Sequence, residues 1–131
     1  HEAPCSVLLA RPTATPPDFP SSVVVGVDGS AAAGLAYDVA RELGERLGVP
    51  VRALTASGGK ALDLEGLKRI EALEWDERKP VEALVDASRK TDLLVVGSRG
   101  LHGLSALGSV SERVAHRAES SVLVVRSHGV R

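Results

Sequence analysis

At 131 residues the chain has room for one domain with a real hydrophobic core. Its 44% apolar content includes one Trp, one Tyr and one Phe, so Val, Leu and Ala must build that core, and a net charge of −1 removes the electrostatic reason to expect nucleic acid or an anionic membrane as partner. Cys5 is the single cysteine, which excludes an intrachain disulfide and makes a reducing cytoplasm the default location; no apolar run has the length of a transmembrane helix.

The first eleven residues echo the end of the chain. His1–Arg11 aligns with His116–Arg126 at an offset of 115, with six of eleven positions identical, a His and an Arg among them. Self-similarity at a fixed offset marks a repeat. Residues 1–11 therefore read as the last strand of a preceding copy of the domain, and the chain, which begins with His rather than Met, as an excerpt of a longer tandem protein. Residues 12–22 (PTATPPDFPSS) hold four prolines and no periodic pattern, and read as an extended linker. The domain proper spans 23–126, with 127–131 as a tail.

Val23–Val27 is an apolar run suited to a strand buried on both faces. Ser30 stands at an N-cap position ahead of a helix from Ala31 to Leu47. Leu35, Val39, Leu43 and Leu47 recur at four-residue steps there, with Ala32, Ala36 and Ala40 beside them, and predict the core-facing stripe. Gly48 caps that helix and Pro50 stops it. Val51–Ala56 is a second strand. Between it and the next strand the crossover is short: Ser57–Lys60 is loop, and Ala61–Leu67 allows a turn or two of helix. Ile70–Trp75 predicts the third strand by alternation. Leu62, Leu64 and Leu67, helped by Trp75, are the apolar residues at hand to cover the sheet beside it. Pro80 suits the first turn of a helix that buries Val81, Leu84 and Val85 and runs to about Lys90.

Leu93–Val96 is again a buried strand, broken by Gly97-Ser98-Arg99-Gly100. A glycine-bearing loop follows, closed by Gly108-Ser109. Ser109-Val110-Ser111-Glu112 has the form of a capping box, so a helix should start there, with Val110, Val114 and Ala118 on one face. Ser121–Arg126 returns as an apolar strand. Strands alternating with helices argue a parallel sheet covered on both faces. Two glycine turns flanking a helix start make a nest of backbone N–H groups, an environment that suits a phosphate.

These motifs resemble the universal stress protein family. The resemblance rests on Val23-Val24-Val25-Gly26-Val27-Asp28-Gly29-Ser30, on Gly97-x-x-Gly100 followed by Gly108-Ser109, and on the helix start and closing strand after it. It covers about Val23 to Arg126. It implies an α/β fold, a Rossmann-like open parallel five-stranded sheet of order 3-2-1-4-5 with helices on both faces. It implies an adenine-nucleotide ligand, ATP (or ADP or AMP, with Mg²⁺ accompanying ATP), and a regulatory role in stress response through dimerisation. Carried over position by position, Asp28 would contact adenine or ribose, Gly97 and Arg99 would lie along ribose and phosphate, and Gly100, Gly108, Ser109, Val110 and Ser111 would offer N–H groups or hydroxyls to the phosphates. The gap before Gly108 holds seven residues, Leu101 to Leu107, where the family's ATP-binding branch has nine.

No nucleophile elbow and no Gly-Lys-Ser/Thr is present, so neither a hydrolase triad nor efficient ATP hydrolysis is expected, and no residues stand at metal-ligand spacing. The rival reading is a nucleotide-free dimerisation module whose glycine loop is only structural. Slow ATP turnover is a third. In the family two domains associate by pairing their last strands antiparallel, so Cys5–Ala10 is expected to pair antiparallel with Val122–Val125 as a sixth, edge strand. The partner is then a second copy, as a homodimer or as a pseudo-dimer with the preceding domain.

Overall fold

The computed structural model describes residues 6–11, 19–58, 64–98 and 109–126. The elements along them are β1 (Val7–Leu9), β2 (Val23–Gly26), α1 (Ala31–Leu47), β3 (Val51–Ala56), α2 (Leu64–Leu67), β4 (Leu73–Asp76), α3 (Pro80–Ser88), β5 (Leu93–Ser98), α4 (Ser109–Arg117) and β6 (Ser121–Arg126). The strands form one sheet in the order β1-β6-β5-β2-β3-β4. Every neighbouring pair is parallel except β1 with β6, which is antiparallel. Leaving β1 aside, this is the expected order 3-2-1-4-5, and β1 takes the expected edge.

Because side chains alternate along each strand, the sheet carries a core on each face. Val23, Val25, Ala53, Leu93, Val95 and Val125 pack with α1 on one side. Val24, Leu54, Leu94, Val96, Val122 and Val124 pack with α3 and α4 on the other. The central strands β2 and β5 contribute to both, and each fully buried Val or Leu stabilises by roughly 1.5–3 kcal/mol. Residues 19–22 tie the chain to the bottom of the sheet. Phe19 packs against the α1-side core, and Ser21 donates from its N–H and its hydroxyl to Asp92 Oδ2, at 2.8 and 2.6 Å.

Helix α1 has the predicted ends. Ser30 Oγ accepts from the Ala33 N–H at 3.2 Å, and Gly48 takes the left-handed conformation (φ 70°) that only glycine adopts freely. Its buried face is the predicted one only in part, keeping Ala36 and Ala40 but not Leu35 or Leu47. Ala33, Ala36, Tyr37, Ala40 and Gly44 lie against the sheet, while Leu35 and Leu47 are 37% and 52% exposed. Small residues let the helix backbone approach β3: a Cβ on Gly44 would collide with Val51. The larger Val39 and Leu43 fill the flanks of the contact.

The second crossover is one helical turn, as its length required. Gly66 lies so close to Gly29 that a Cβ would collide with the Gly29 carbonyl. Arg69 reaches α1, pairing with Asp38 at 3.0 Å and donating to the Gly34 carbonyl at 3.1 Å, and its guanidinium stands over the Tyr37 ring. Two expectations fail here. The third strand starts at Leu73, not Ile70, because Ala72 has φ 53° and residues 70–72 turn; Ile70 is buried as part of that turn. Trp75 covers nothing, being 60% exposed, and Leu64 is equally open, so Leu67 and Ile70 do the covering. A groove lies between Tyr37, Val51, Ala53 and Ala72. Helix α3 ends at Ser88 rather than Lys90, and Leu62 lies outside the described residues.

Candidate functional site

From β2 the chain crosses towards β3, and from β5 towards β6, in opposite directions across the sheet. The strand order therefore reverses between β2 and β5, which opens a crevice beyond their carboxyl ends. A cavity of about 380 Å³ occupies that place. Gly26, Val27 and Asp28 enter it from the end of β2, and Val96 and Gly97 from β5. Val110 and Ser111, from the first turn of α4, close it at one end. Leu54 and Ala56 of β3 with Pro80 and Leu84 of α3 form an apolar wall opposite.

Asp28 is half-buried, and its carboxylate is only partly free. Oδ1 accepts from the Ser30 N–H at 2.9 Å, closing the turn into α1, while Oδ2 has no partner among the described residues. Ser30 caps the helix with its hydroxyl, and Asp28 closes the turn ahead of it. Gly97 has a steric reason to be glycine: an added Cβ would lie 2.5 Å from the Ala32 carbonyl oxygen and 3.1 Å from the Ala33 nitrogen. The start of α1 is packed directly onto the end of β5.

Ser111 is buried, and its hydroxyl donates to the Gly97 carbonyl in a short hydrogen bond. That bond ties the first turn of α4 to β5. It also commits the hydroxyl proton, so what Ser111 can give an anion is its backbone N–H. Val110 was expected on the core face with Val114 and Ala118, but it is 38% exposed and lines the cavity, while Val114 and Ala115 are buried. Ser109 is the first residue of α4, already inside the helix rather than ahead of it. The N–H groups of Ser109, Val110 and Ser111 have no intrahelical acceptor, and the positive end of the helix dipole faces the cavity with them.

The structure thus brings together Asp28, Gly97, Val110 and Ser111 with the start of α4 at Ser109. Arg99, Gly100 and Gly108 lie outside the described residues. The sequence reading missed the wall of Leu54, Ala56, Pro80 and Leu84. The signal for it was position alone: the carboxyl end of the strand beside β2 and the first turns of the helix after it. Among the described residues no three His, Cys, Asp or Glu side chains group as a metal site, and no helix is long and apolar enough to cross a membrane.

Sheet order and cavity define a class: a doubly wound α/β domain with a ligand crevice at its topological switch point. The profile of the universal stress protein family matches residues 58–126, more than half of the chain. The chain belongs to the universal stress protein family. Universal stress protein Rv2005c of Mycobacterium tuberculosis is 33% identical over an alignment that takes in 94% of this chain and 51% of that protein. The chain spans about half the length of such relatives. Among solved structures, a universal stress protein in complex with cAMP is 33% identical, with a TM-score of 0.66, over 82% of this chain and 97% of that one. A universal stress protein from Archaeoglobus fulgidus DSM 4304 matches in fold, with a TM-score of 0.76 and 21% identity, over 98% of this chain and 52% of the other.

Proposed function

We propose that this domain binds an adenine nucleotide, ATP foremost, and acts in the cytoplasm as a stress-response regulator through a paired domain, not as an enzyme. The observation that carries the reading is the cavity between β2 and β5, lined by the apolar Leu54, Ala56 and Leu84 and by Val110 and Ser111 of the first turn of α4. Leu54, Ala56 and Leu84 offer adenine a flat apolar berth. Asp28 Oδ2 is the acceptor for a ribose hydroxyl or the adenine amine. The N–H groups from Ser109 to Ser111, with Gly100, Gly108 and Arg99, serve the phosphates, and Mg²⁺ accompanies ATP. The cAMP complex of a 33%-identical universal stress protein supports a nucleotide as ligand. The tandem reading draws support from the echo of His116–Arg126 in His1–Arg11 and from the seat of β1 against β6.

Calorimetric titration with ATP tests the ligand. Gly100→Val places a branched side chain where backbone must approach phosphate, and should abolish binding while leaving far-UV CD unchanged; equal binding by both proteins contradicts the site. A nucleotide-free dimerisation module is the second reading. Its supporting observation is Gly97, whose need for glycine is met by the packing of Ala32 without any ligand. ATP turnover with Mg²⁺ well above background would instead favour catalysis.

A further inference from the structure

The β1–β6 ladder has a symmetry that its sequence explains. Val7 pairs with Val124, Leu8 with Leu123 and Leu9 with Val122. At the repeat offset, Val7, Leu8 and Leu9 correspond to Val122, Leu123 and Val124. Each residue therefore faces its counterpart's mirror position, with Leu8 and Leu123 at the centre. The flanking hydrogen bonds obey the same rule. The Arg11 N–H donates to Ser121 Oγ at 2.9 Å, and the Arg126 N–H donates to Ser6 Oγ at 3.4 Å, where Arg11 corresponds to Arg126 and Ser6 to Ser121. Such reciprocity is the mark of a two-fold interface.

One bond breaks the symmetry. The Arg11 guanidinium donates through Nη2 to the Ala115 carbonyl at 2.6 Å. Ala115 is in the last turn of α4, and the amide that would serve its carbonyl within the helix, that of Glu119, donates to Ser88 Oγ instead. Arg11 thus satisfies an orphan carbonyl and sets a cation at the negative end of the helix dipole. The Arg126 guanidinium, at the equivalent position, has no partner among the described residues. We infer that Arg126 caps the last helix of a second domain of this family, across the two-fold axis through Leu8 and Leu123, as Arg11 caps α4 here. This rests on the reading that β1 stands where a second domain's last strand belongs. The occupant is a domain of the same kind, because the register, the serine bonds and the arginine spacing are all self-complementary.

The test swaps the roles of the two arginines in the full chain. With β1 docked, Arg11→Met should lower Tm by roughly 3–6 °C, Arg11→Lys should restore part of the loss, and Arg126→Met should change Tm by less than about 1 °C. Leu8→Pro should undock β1 and open the β6 edge to a second copy. That variant should dimerise in sedimentation, and adding Arg126→Met should weaken the dimer about tenfold, while adding Arg11→Met should not. A folded Leu8→Pro chain that stays monomeric would overturn the paired-domain reading and the proposal with it. A dimer indifferent to Arg126→Met would overturn the arginine cap alone. If Leu8→Pro does not fold, the first comparison decides: an unchanged Tm in Arg11→Met refutes the cap.

Discussion

Gly97→Ala separates a structural glycine from a ligand-binding one, and its cost follows from the packing. The new Cβ would stand 2.5 Å from the Ala32 carbonyl oxygen and 2.7 Å from its carbon, both backbone atoms at the start of α1. No rotamer relieves that contact, so α1 must lift from β5 or β5 must bend, and α1 is held by its packing along the Ala33–Gly44 face. Overpacking of this kind costs about 1–3 kcal/mol. At roughly 2.1 cal/mol/K per residue, a chain of this length unfolds with an entropy of about 0.28 kcal/mol/K, so Tm should fall by about 4–11 °C. The assay is thermal unfolding by CD without nucleotide, because the collision with Ala32 involves no ligand. A Gly97→Ala protein as stable as wild type would show that the approach of α1 to β5 is not what demands glycine there.

Three further outcomes follow from side chains elsewhere. Thr55 is fully buried and its hydroxyl has no partner among the described residues, so Thr55→Val, which keeps the shape, should raise stability by about 1 kcal/mol in urea titration; a loss would mean the hydroxyl is satisfied. Hydrogen bonds from the Arg78 guanidinium and N–H hold the Asp76 carboxyl below its usual range. A depressed carboxyl adds stability that is present above the unfolded value of about 3.9 and lost as pH falls through the folded value. The Tm gap between wild type and Asp76→Asn, open at pH 6, should thus close as pH drops from about 4 towards 2; a gap constant over that range contradicts the pairing. Trp75 should be quenched by acrylamide in the native state nearly as well as in urea, and strong native protection would contradict its exposure.

The apolar runs at Val23, Val51, Leu93 and Val122, alternating with helices, made a mostly parallel sheet legible, while the strand order 3-2-1-4-5 came from the family resemblance and is the order found once β1 is set aside. The repeat of Ser-Val-Leu marked residues 1–11 as a copy of the last strand, and its place on the edge followed from the pairing of last strands that the family resemblance implies. What misled was the assumption that the largest apolar residues face the core. On α1 the sheet is reached by Ala, Gly and Tyr, because closeness of backbone decides the buried face, and Leu35 is left at its margin. The start of β4 was misread because burial of Ile70 imitates a strand residue, and no sequence pattern announces the positive φ at Ala72. In the site, Asp28 and Gly97 were found by their place at strand ends. The split use of the Asp28 carboxylate and the tie from Ser111 to the Gly97 carbonyl depend on a three-dimensional approach that no spacing encodes.

The central claim is that an adenine nucleotide sits at the switch point between β2 and β5. An NMR titration of the ¹⁵N-labelled chain with ATP tests it most directly. Saturable shifts should concentrate on the amides of Val27, Asp28, Gly97, Val110 and Ser111 and spare those of α1 beyond its first turn. An unshifted spectrum at millimolar ATP, or shifts centred on the groove beside Tyr37 and Ala72, would contradict it.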